Sequence, residues 1–535
     1  MASAGFDFII VGAGTAGCVL AARLSEDPAA RVCLIEAGGP ASHPFVKVPA
    51  LVGPAIMHRG LGWGLATEAE PALDNRRIPL PRGKLIGGSG SINGMAYHRG
   101  HPRDYDDWAR AGNAGWDWQS VLPYFLRSEN NADLRDPALH GTAGPVHVTH
   151  IPRPNPLNEA FLQAFASLGE YPRCADFTGT EPEGYGLRQG TIHRGRRDST
   201  ATAYLQPARS RRNLTVLADA QVLRVRVDTG RAAGVDLRDR GGAVRSIHST
   251  GEVIVCAGAI HSPQLLMLSG IGPPGELRAR DIAVHASLPG VGANYHDHPA
   301  LPLTMEMQDS TSYGLSWRAL PRNAWAVLEY LVARRGMLAS NVFESTAFIR
   351  STAGLDRPDI QIAFQPARRN PDAFPLPRGH GFALSVVNLY PRSRGRVTLA
   401  SADIRDAPRV QANLFQDPAD IAPMLRGLRL ARRLCAAPAL ARYQAREALP
   451  GAAAQDEGAL IAYLRRAAGT AHHPVGTCRM GVDAEAVVDP QLRVHGIRGL
   501  RVVDASVFPS IVGGNTNAPV VMVAERAADL IRGDS

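Results

Sequence analysis

The beginning of the chain carries the spacing G-x-G-x-x-G, which constrains the fold more than any other feature. Phe6–Val11 has the length and apolar character of a short strand, and Gly12, Gly14 and Gly17 come next. An Ala/Leu-rich stretch, Ala16–Leu24, then predicts a helix. The first glycine permits a tight turn, the second lets the backbone approach a pyrophosphate, and the third lets the helix pack on the strand.

The strand that follows supplies an acid for the sugar of a nucleotide. Val32–Ile35 predicts this second strand, and Glu36 stands at its end. A carboxylate there can accept hydrogen bonds from an adenosine ribose, while the helix N-terminus offers free N–H groups to the phosphates. The pattern predicts a dinucleotide fold and fits NAD as well as FAD.

Composition excludes several classes of protein. A chain of 535 residues exceeds the size at which a single core stops growing, which is about 250–300 residues. We find no run of about 18 apolar residues that would cross a membrane and no signal peptide. Six cysteines without a C-x-x-C pair argue against a disulfide framework and a zinc site.

The net charge of +9 comes almost entirely from arginine, since Lys47 and Lys84 are the only lysines. The arginines alternate with acids along the chain, and even the short clusters Arg194–Arg197 and Ser210–Arg212 are interpreted mainly as solvated surface. We expect no nucleic-acid partner. The expected location is cytoplasmic, and peripheral association with the inner membrane is left open.

The rest of the chain does not continue a regular βαβ alternation. After Gly38 it is rich in Pro and Gly through about residue 115, which indicates loops wrapped on a ligand. Strands are predicted at 214–226, 234–256, 382–389, 397–399 and 500–503. Helices are predicted at 264–268, capped by Ser262-Pro263, and at 320–335, 420–436, 457–467 and 519–531. The nucleotide fold is therefore expected to be assembled from distant segments.

Two further segments that contain glycine have patterns specific enough to compare with known families. Gly83-Lys84-Leu85-Ile86-Gly87-Gly88-Ser89-Gly90-Ser91-Ile92-Asn93 is dense in glycine, which permits close backbone approach to a ligand. The segment from Gly258 to Gly272, GAIHSPQLLMLSGIG, has the form of a strand-to-helix turn.

Together these segments resemble the two signature sequences of the glucose–methanol–choline (GMC) oxidoreductase family. The resemblance extends over nearly the whole chain, through the opening fingerprint and the segments Pro289–Gly292, Ser340–Arg350, Ser393–Ala402, His473-Pro474 and Gly514–Pro519. It implies an α/β (overall α+β) protein with a discontinuous Rossmann-like FAD-binding domain. A substrate-binding domain with an antiparallel sheet and flanking helices is the second part.

The resemblance also assigns segments to these domains. It implies FAD-binding segments at 1–150, 206–305 and 466–535 and substrate-domain segments at 151–205 and 306–465. The implied FAD contacts are Gly12, Gly14, Thr15, Ala16, Gly17, Glu36, Ala37, Arg82, Gly83, Gly87, Gly88, Ser89, Asn93, Gly94, Met95, Ala96, Val222, Ala257, Gly258, Asp504, Ala505, Asn515 and Thr516. Some relatives attach the flavin to a His in the glycine loop. Ile92 stands at that place here, so we expect non-covalent FAD.

The candidate catalytic residues lie near the C-terminus. The resemblance assigns the catalytic His to the residue before Pro474, which is His473, and its partner to Asn515. Pro474 favours an extended backbone at His473, so alternation predicts that His472 and His473 face opposite sides. Asn517 is interpreted either as a helix cap or as a functional residue.

Two other groups of residues are candidates for a functional role. His296-Asp297-His298 looks like a metal cluster, but alternate faces and the lack of a further ligand set nearby argue against a metal. Glu344 is a candidate substrate contact, because choline-oxidising relatives hold the trimethylammonium group with a Glu near this place. A structural hydrogen-bond acceptor is the alternative interpretation of Glu344.

The predicted function is the FAD-dependent oxidation of a small-molecule alcohol to an aldehyde or ketone, with O₂ or a quinone as electron acceptor. Neutral His473 would take the hydroxyl proton, Asn515 would hold the alcohol oxygen, and the α-hydrogen would leave as hydride to flavin N5. The alternatives are a choline dehydrogenase, a hydroxynitrile lyase that keeps FAD without redox chemistry, and a fatty acid photodecarboxylase. The sequence does not define the oligomeric state.

Overall fold

The computed structural model describes residues 5–369 and 378–533. Its first sheet has seven strands, all drawn from three distant parts of the chain. The strands are, in order across the sheet, Leu214–Leu217, Val32–Ile35, Phe6–Val11, Val244–Val255, Arg231–Arg238 and Gln221–Asp228, with Leu500–Val502 also paired to Val244–Val255. This confirms that the nucleotide fold is assembled from segments far apart in sequence.

The pairing within this sheet is mixed. Phe6–Val11 pairs in parallel with Val32–Ile35 and with Val244–Val255, and Leu500–Val502 extends the parallel part. Val32–Ile35 is buried along its whole length, as strands covered on both faces must be. The helices Thr15–Leu24 and Asn517–Gly533 pack against each other on this core.

The second sheet also has seven strands, and its pairing is antiparallel. The strands are, in order, Arg446–Leu449, Pro299–Met307, His380–Asn388, Ile360–Gln365, Ser345–Ile349 and Gly184–Leu187, with Gly469–Thr470 paired to Pro299–Met307. Pro156–Leu168, Ile421–Ala436 and Glu457–Ala467 are the helices in its core. The predicted boundary at residues 305/306 falls inside the strand Pro299–Met307.

Most predicted elements form with shifts of a few residues, and one helix begins much earlier than expected. The helix predicted from Gln264 spans Gly258–Leu268, so Pro263 lies inside it instead of at its start. Pro263 has no backbone N–H to donate to the carbonyl of Ala259, four residues before it. That carbonyl accepts instead from the Thr477 hydroxyl at 2.6 Å. The terminal helix begins at Asn517, two residues before the prediction.

The irregular region after Gly38 contains short elements and one helix that the sequence did not reveal, Pro102–Arg110. Further α-helices are Pro44–Lys47, Val52–Met57, Trp118–Ser128, Pro274–Arg278, Leu320–Ala333 and Pro438–Ala441. Smaller strand groups are Leu65–Ala66 with Pro79–Leu80, Arg396–Thr398 with Arg409–Gln411, and Glu129–Asn131 with Val146–His150 and Gln189–Gly190. Among helices at 5–369 and 378–533, none combines the length and apolar content that crossing a membrane requires.

Candidate active site

A cavity of about 590 Å³, called here the central cavity, is lined from both sheets and from the glycine loops. All but two of the 23 residues predicted to contact FAD line it, the exceptions being Gly17 and Gly87. A Cβ on Gly17 would lie 1.9 Å from the carbonyl oxygen of Gly12, so Gly17 allows the close helix packing that its position in the motif predicts. The backbone N–H of Gly87 donates to the carbonyl of Ala13, and this hydrogen bond connects the two glycine loops.

Glu36 is held at the edge of this cavity by the glycine turn itself. Its carboxylate accepts from the N–H of Ala13 at 2.9 Å and from that of Gly38 at 2.8 Å. Burial raises the pKa of Glu36 to about 7, against the effect of these two hydrogen bonds. The position is suited to a sugar hydroxyl, because a carboxylate oxygen can accept more than one hydrogen bond.

The second glycine loop lies directly on the first. A Cβ on Gly88 would lie 2.8 Å from Cα of Gly14, and one on Gly83 would lie 2.3 Å from the Gly88 carbonyl oxygen. Asn93 orders the end of the loop, since its Oδ1 accepts from the N–H of Met95 at 3.0 Å. The loops therefore leave a backbone-lined slot that suits a flat or phosphate-bearing ligand, as FAD requires.

Arg197 corrects the interpretation of the Arg194–Arg197 cluster as solvated surface. Its side chain is buried and donates to the carbonyls of Val46 at 2.9 Å and Asn93 at 2.6 Å. The guanidinium thus fastens the glycine loop to the Val46 segment. A run of arginines gives no signal that one of them points inward.

His473 and Asn515 meet in the central cavity although 42 residues separate them. His473 Nε2 lies 2.9 Å from Asn515 Nδ2, and the backbone N–H of His473 donates to Asp297 at 2.7 Å. The Oδ1 atom of Asn515 is buried and has no partner among the described residues. It is therefore free to accept a hydrogen bond from a ligand.

The tautomer of His473 follows from a chain of hydrogen bonds. His298 Nε2 lies 3.0 Å from the Leu389 carbonyl oxygen, which can only accept, so Nε2 carries a proton. Burial lowers the pKa of His298 to about 4, and its Nδ1 is therefore an acceptor at neutral pH. Since His473 Nδ1 lies 2.9 Å away, it donates to His298, and His473 Nε2 is left unprotonated to accept from Asn515.

The electrostatic surroundings keep His473 neutral. Burial, followed by the neighbouring His298, His472 and Arg82, lowers the pKa of His473 well below its usual value. A neutral imidazole whose Nε2 carries a lone pair and no proton is the form that a general base needs.

The prediction that alternation turns His472 away from the cavity is wrong. His472 and His473 both line it, because His472 has a φ of 66° and the segment is not a regular extended chain. Burial lowers the pKa of His472 to about 3, and its Nδ1 lies 3.2 Å from the hydroxyl of Thr470. Of the two, His473 is the one that contacts Asn515.

The side chains of His296, Asp297 and His298 are each engaged by hydrogen bonds to other residues, and two of them contact His473. His296 Nε2 lies 2.8 Å from Asn294 Oδ1, Asp297 accepts from the backbone of His473, and His298 contacts the His473 ring. In the part of the chain that the structure describes, no group of three or more His, Cys, Asp or Glu side chains is arranged to hold a metal ion.

Asn517 joins two helix N-termini. Its Oδ1 accepts from the hydroxyl of Thr15 at 2.9 Å, and both residues line the central cavity. The N-terminal ends of the helices Thr15–Leu24 and Asn517–Gly533 therefore point at the same ligand space, which favours negative charge there.

Glu344 is buried but is not among the residues that line the central cavity. Its carboxylate accepts from the N–H of Asn155 and the hydroxyl of Tyr313, both at 2.8 Å, and from the hydroxyl of Ser340 and the Asn158 amide. The Glu344 carboxylate is thus occupied by hydrogen bonds from the protein itself.

Arg188 lines the cavity, and the sequence analysis did not single it out. The side chain is 4% exposed, and its Nε donates to the Phe343 carbonyl oxygen. Among the described residues neither Nη atom has a hydrogen bond and the guanidinium forms no ion pair. Burial lowers the pKa of Arg188 to about 9. The negative charge of Glu344 acts in the opposite direction and raises this pKa. An isolated arginine beside Gln189 gives no sequence signal of this placement.

Comparisons with known proteins identify the family of the chain. The family models described as GMC oxidoreductase match residues 6–300 and 391–524. The chain is 40% identical over 528 residues to an alcohol dehydrogenase [acceptor] of Pseudomonas putida, and 42% identical over 529 residues to an oxygen-dependent choline dehydrogenase of Rhizobium etli. Each alignment covers 98% of this chain and 95% of the relative. The crystal structure of pyridoxine 4-oxidase from Mesorbium loti superimposes with a TM-score of 0.88 at 33% identity, covering 98% of both chains.

Proposed function

The chain belongs to the GMC oxidoreductase family, and on this premise we propose that His473 and Asn515 are the catalytic pair with which it oxidises an alcohol. The protein is an FAD-dependent oxidoreductase that acts on the CH–OH group of its donors. The observation that carries the catalytic assignment is the unprotonated Nε2 of His473, which accepts from Asn515 Nδ2 beside the buried, unpartnered Oδ1 of Asn515.

The two side chains have complementary roles in this proposal. The substrate hydroxyl replaces the Asn515 amide as the donor to His473 Nε2 and gives it its proton, while the Asn515 N–H donates instead to the alcohol oxygen and orients it. FAD, when bound, supplies the acceptor for the hydride that leaves the alcohol carbon. His298 accepts from His473 Nδ1 throughout, so the ring keeps its orientation as Nε2 gains a proton.

We further propose that the predicted FAD contacts hold the cofactor without a covalent bond. The twin glycine loops and Glu36 support a site for the adenosine and diphosphate end, and Asn515 and Thr516 support a site for the ring. Ile92, at the place of the flavin-linked His, lines the cavity and is packed with Leu85 and Val46, so it offers no nucleophile. Acid precipitation should release all flavin absorbance into the supernatant. Absorbance that stays with the protein pellet would contradict non-covalent binding.

The division into domains is likewise a proposal. Strands of the first sheet support FAD-binding segments at 1–150, 206–305 and 466–535, and strands of the second sheet other than Gly469–Thr470 support substrate segments at 151–205 and 306–465. We move the 305/306 boundary back to about residue 298, so that Pro299–Met307 stays whole. A cytoplasmic location stays a prediction.

The cavity favours a neutral or anionic alcohol over choline. Choline carries a fixed positive charge, and the unpaired guanidinium of Arg188 would repel it in a site of low dielectric constant. Glu344, the candidate partner for a trimethylammonium group, is engaged by four protein donors. Choline oxidation remains the second candidate function because of the 42% identity to a choline dehydrogenase.

Anaerobic mixing of the holoenzyme with a panel of alcohols tests the reaction class. Loss of the oxidised flavin absorbance with an alcohol supports hydride transfer. A lyase would release cyanide from a hydroxynitrile without this loss, and a photodecarboxylase would require light and a fatty acid; either result would overturn the proposal. Reoxidation of the reduced enzyme by O₂ or by a soluble quinone then identifies the acceptor.

A further inference from the structure

The helix Leu320–Ala333 and the turn before it expose an unusual amount of apolar surface. Trp317 is 88% exposed, Val332 80%, Leu331 74% and Trp325 64%. Leu315, Leu320, Val327 and Leu328 are also exposed, so this one segment holds eight of the eleven large apolar side chains found exposed in the described residues. Within the helix, Ala326 and Tyr330 are the buried side chains.

No charge interrupts the outward face of this helix. Its charged residues are Arg322 and Glu329, and both are turned back to the protein. Arg322 donates to the Ser312 carbonyl at 2.8 Å, and Glu329 pairs at 3.2 Å with Arg153 and with Arg335. A surface helix in water normally shows the reverse pattern, with its polar face outward.

Arginines border the apolar face at both ends. Arg318 precedes the helix, and Arg334 and Arg335 follow it, all exposed. The exposed Arg194 and Arg196 lie beside it as well, because the hydroxyl of Tyr330 donates to Gly195 at 3.0 Å. Glu329 pairs with Arg335 and also with Arg153, so the border has excess positive charge.

The segment that follows this helix packs next to one wall of the central cavity. After the helix, Met337–Ala339 packs on Pro49–Leu51, which leads directly into the helix Val52–Met57. Val52 and Met57 line the cavity, and Met57 is 56% exposed, so this wall reaches the protein surface.

We propose that residues 315–335 form a docking surface for an anionic lipid bilayer. Tryptophan side chains are favoured at the boundary between water and hydrocarbon, aliphatic side chains enter the acyl region, and arginines bind anionic headgroups. A second copy of the chain fits less well, because face-to-face contact would bring the arginine borders of two copies together. The docked enzyme holds the Met57 wall of its cavity next to the membrane, where apolar alcohols and quinones concentrate. The lipid contact itself does not depend on the proposed catalytic pair.

Flotation of the full-length holoenzyme with vesicles tests this surface. We expect binding to vesicles of phosphatidylcholine with phosphatidylglycerol, weaker binding in high salt, and at least tenfold weaker binding to pure phosphatidylcholine. Trp317→Ser with Trp325→Ser and Leu331→Ser should lower partitioning at least tenfold. Arg318→Glu with Arg196→Glu should lower it on anionic vesicles alone.

Matched controls separate the surface from a general effect of the substitutions. Val244→Ser with Val482→Ser removes side chains that are 59% and 68% exposed elsewhere, and should leave partitioning unchanged. All variants should retain flavin and turnover of a water-soluble alcohol with an artificial acceptor. Absence of vesicle binding by the unaltered protein, or equal binding by the triple variant, would overturn the proposal. So would a dimer in sedimentation analysis that the triple variant abolishes, since the face would then bind a second copy.

Discussion

The Nδ1 atoms of His298 and His473 lie 2.9 Å apart, and this contact determines which nitrogen of His473 can accept a proton. His298 is anchored from the other side by the Leu389 carbonyl, so its ring has one tautomer that satisfies both neighbours. His298 is thus a positioning residue in the proposed mechanism, because it acts on the substrate only through His473.

Substitution of His298 tests this role. In His298→Leu nothing accepts from His473 Nδ1, so His473 can adopt either tautomer and the rate constant of flavin reduction should fall about tenfold or more. In His298→Asn the amide oxygen can replace Nδ1 as acceptor and should restore much of the rate. Stopped-flow absorbance measures both, and flavin content controls for folding. Equal rates in His298→Leu and the parent would contradict a positioning role.

Substitution of His473 itself should have a larger effect. His473→Ala removes the proposed base, so flavin reduction should slow by about 10²-fold or more, the usual contribution of a general base. Binding of FAD should persist, since the cofactor is held mainly by the glycine loops and Glu36. A near-normal rate of reduction would remove His473 from the mechanism.

The pH profile of flavin reduction should have its acidic limb below pH 6.5. The neutral form of His473 is the active one, and burial lowers its pKa well below the usual value. Activity is therefore retained on the alkaline side and lost as the pH falls through this lowered pKa. Rates measured from pH 4.5 to 9 in the parent and in His298→Asn would check this, and an acidic limb at or above pH 7 would contradict it.

Substitution of Gly17 tests whether close packing of the first helix is needed to bind FAD. A Cβ there would lie 1.9 Å from the Gly12 carbonyl oxygen, so Gly17→Ala must displace the helix Thr15–Leu24 from the turn. We expect loss of most bound FAD and a lower melting temperature. Gly275→Ala is the matched control, because nothing lies within 4 Å of its added Cβ and its φ is not positive. If both variants retain FAD equally, close packing at Gly17 is not required.

The strands and the glycine loops could be predicted because their signals are local. Phe6–Val11 and Val32–Ile35 are short apolar runs bounded by breakers, and the fixed spacing of the glycines reports one turn geometry. His473 was found through its motif.

Contacts between distant segments leave no local signal in the sequence. The partner of His473 Nδ1 lies 175 residues away, and nothing near His298 indicates it. Arg197 appeared to be surface for the same reason, since its acceptors belong to another loop. The alternation rule failed at His472 because it assumes regular extended backbone, and a φ of 66° interrupts it.

Arg188 gives the prediction that separates the candidate substrates. Its guanidinium lines the central cavity without an ion pair, so it should oppose a cationic alcohol and tolerate a neutral or anionic one. Replacement by methionine keeps the length and removes the charge. Arg188→Met should therefore raise kcat/KM for choline relative to a neutral alcohol of similar size by about tenfold, which corresponds to about 1.4 kcal/mol. Arg188→Lys, which keeps the charge, should leave this ratio close to that of the parent. Steady-state rates with both alcohols measure the effect, and an unchanged ratio in Arg188→Met would show that this charge does not select the substrate.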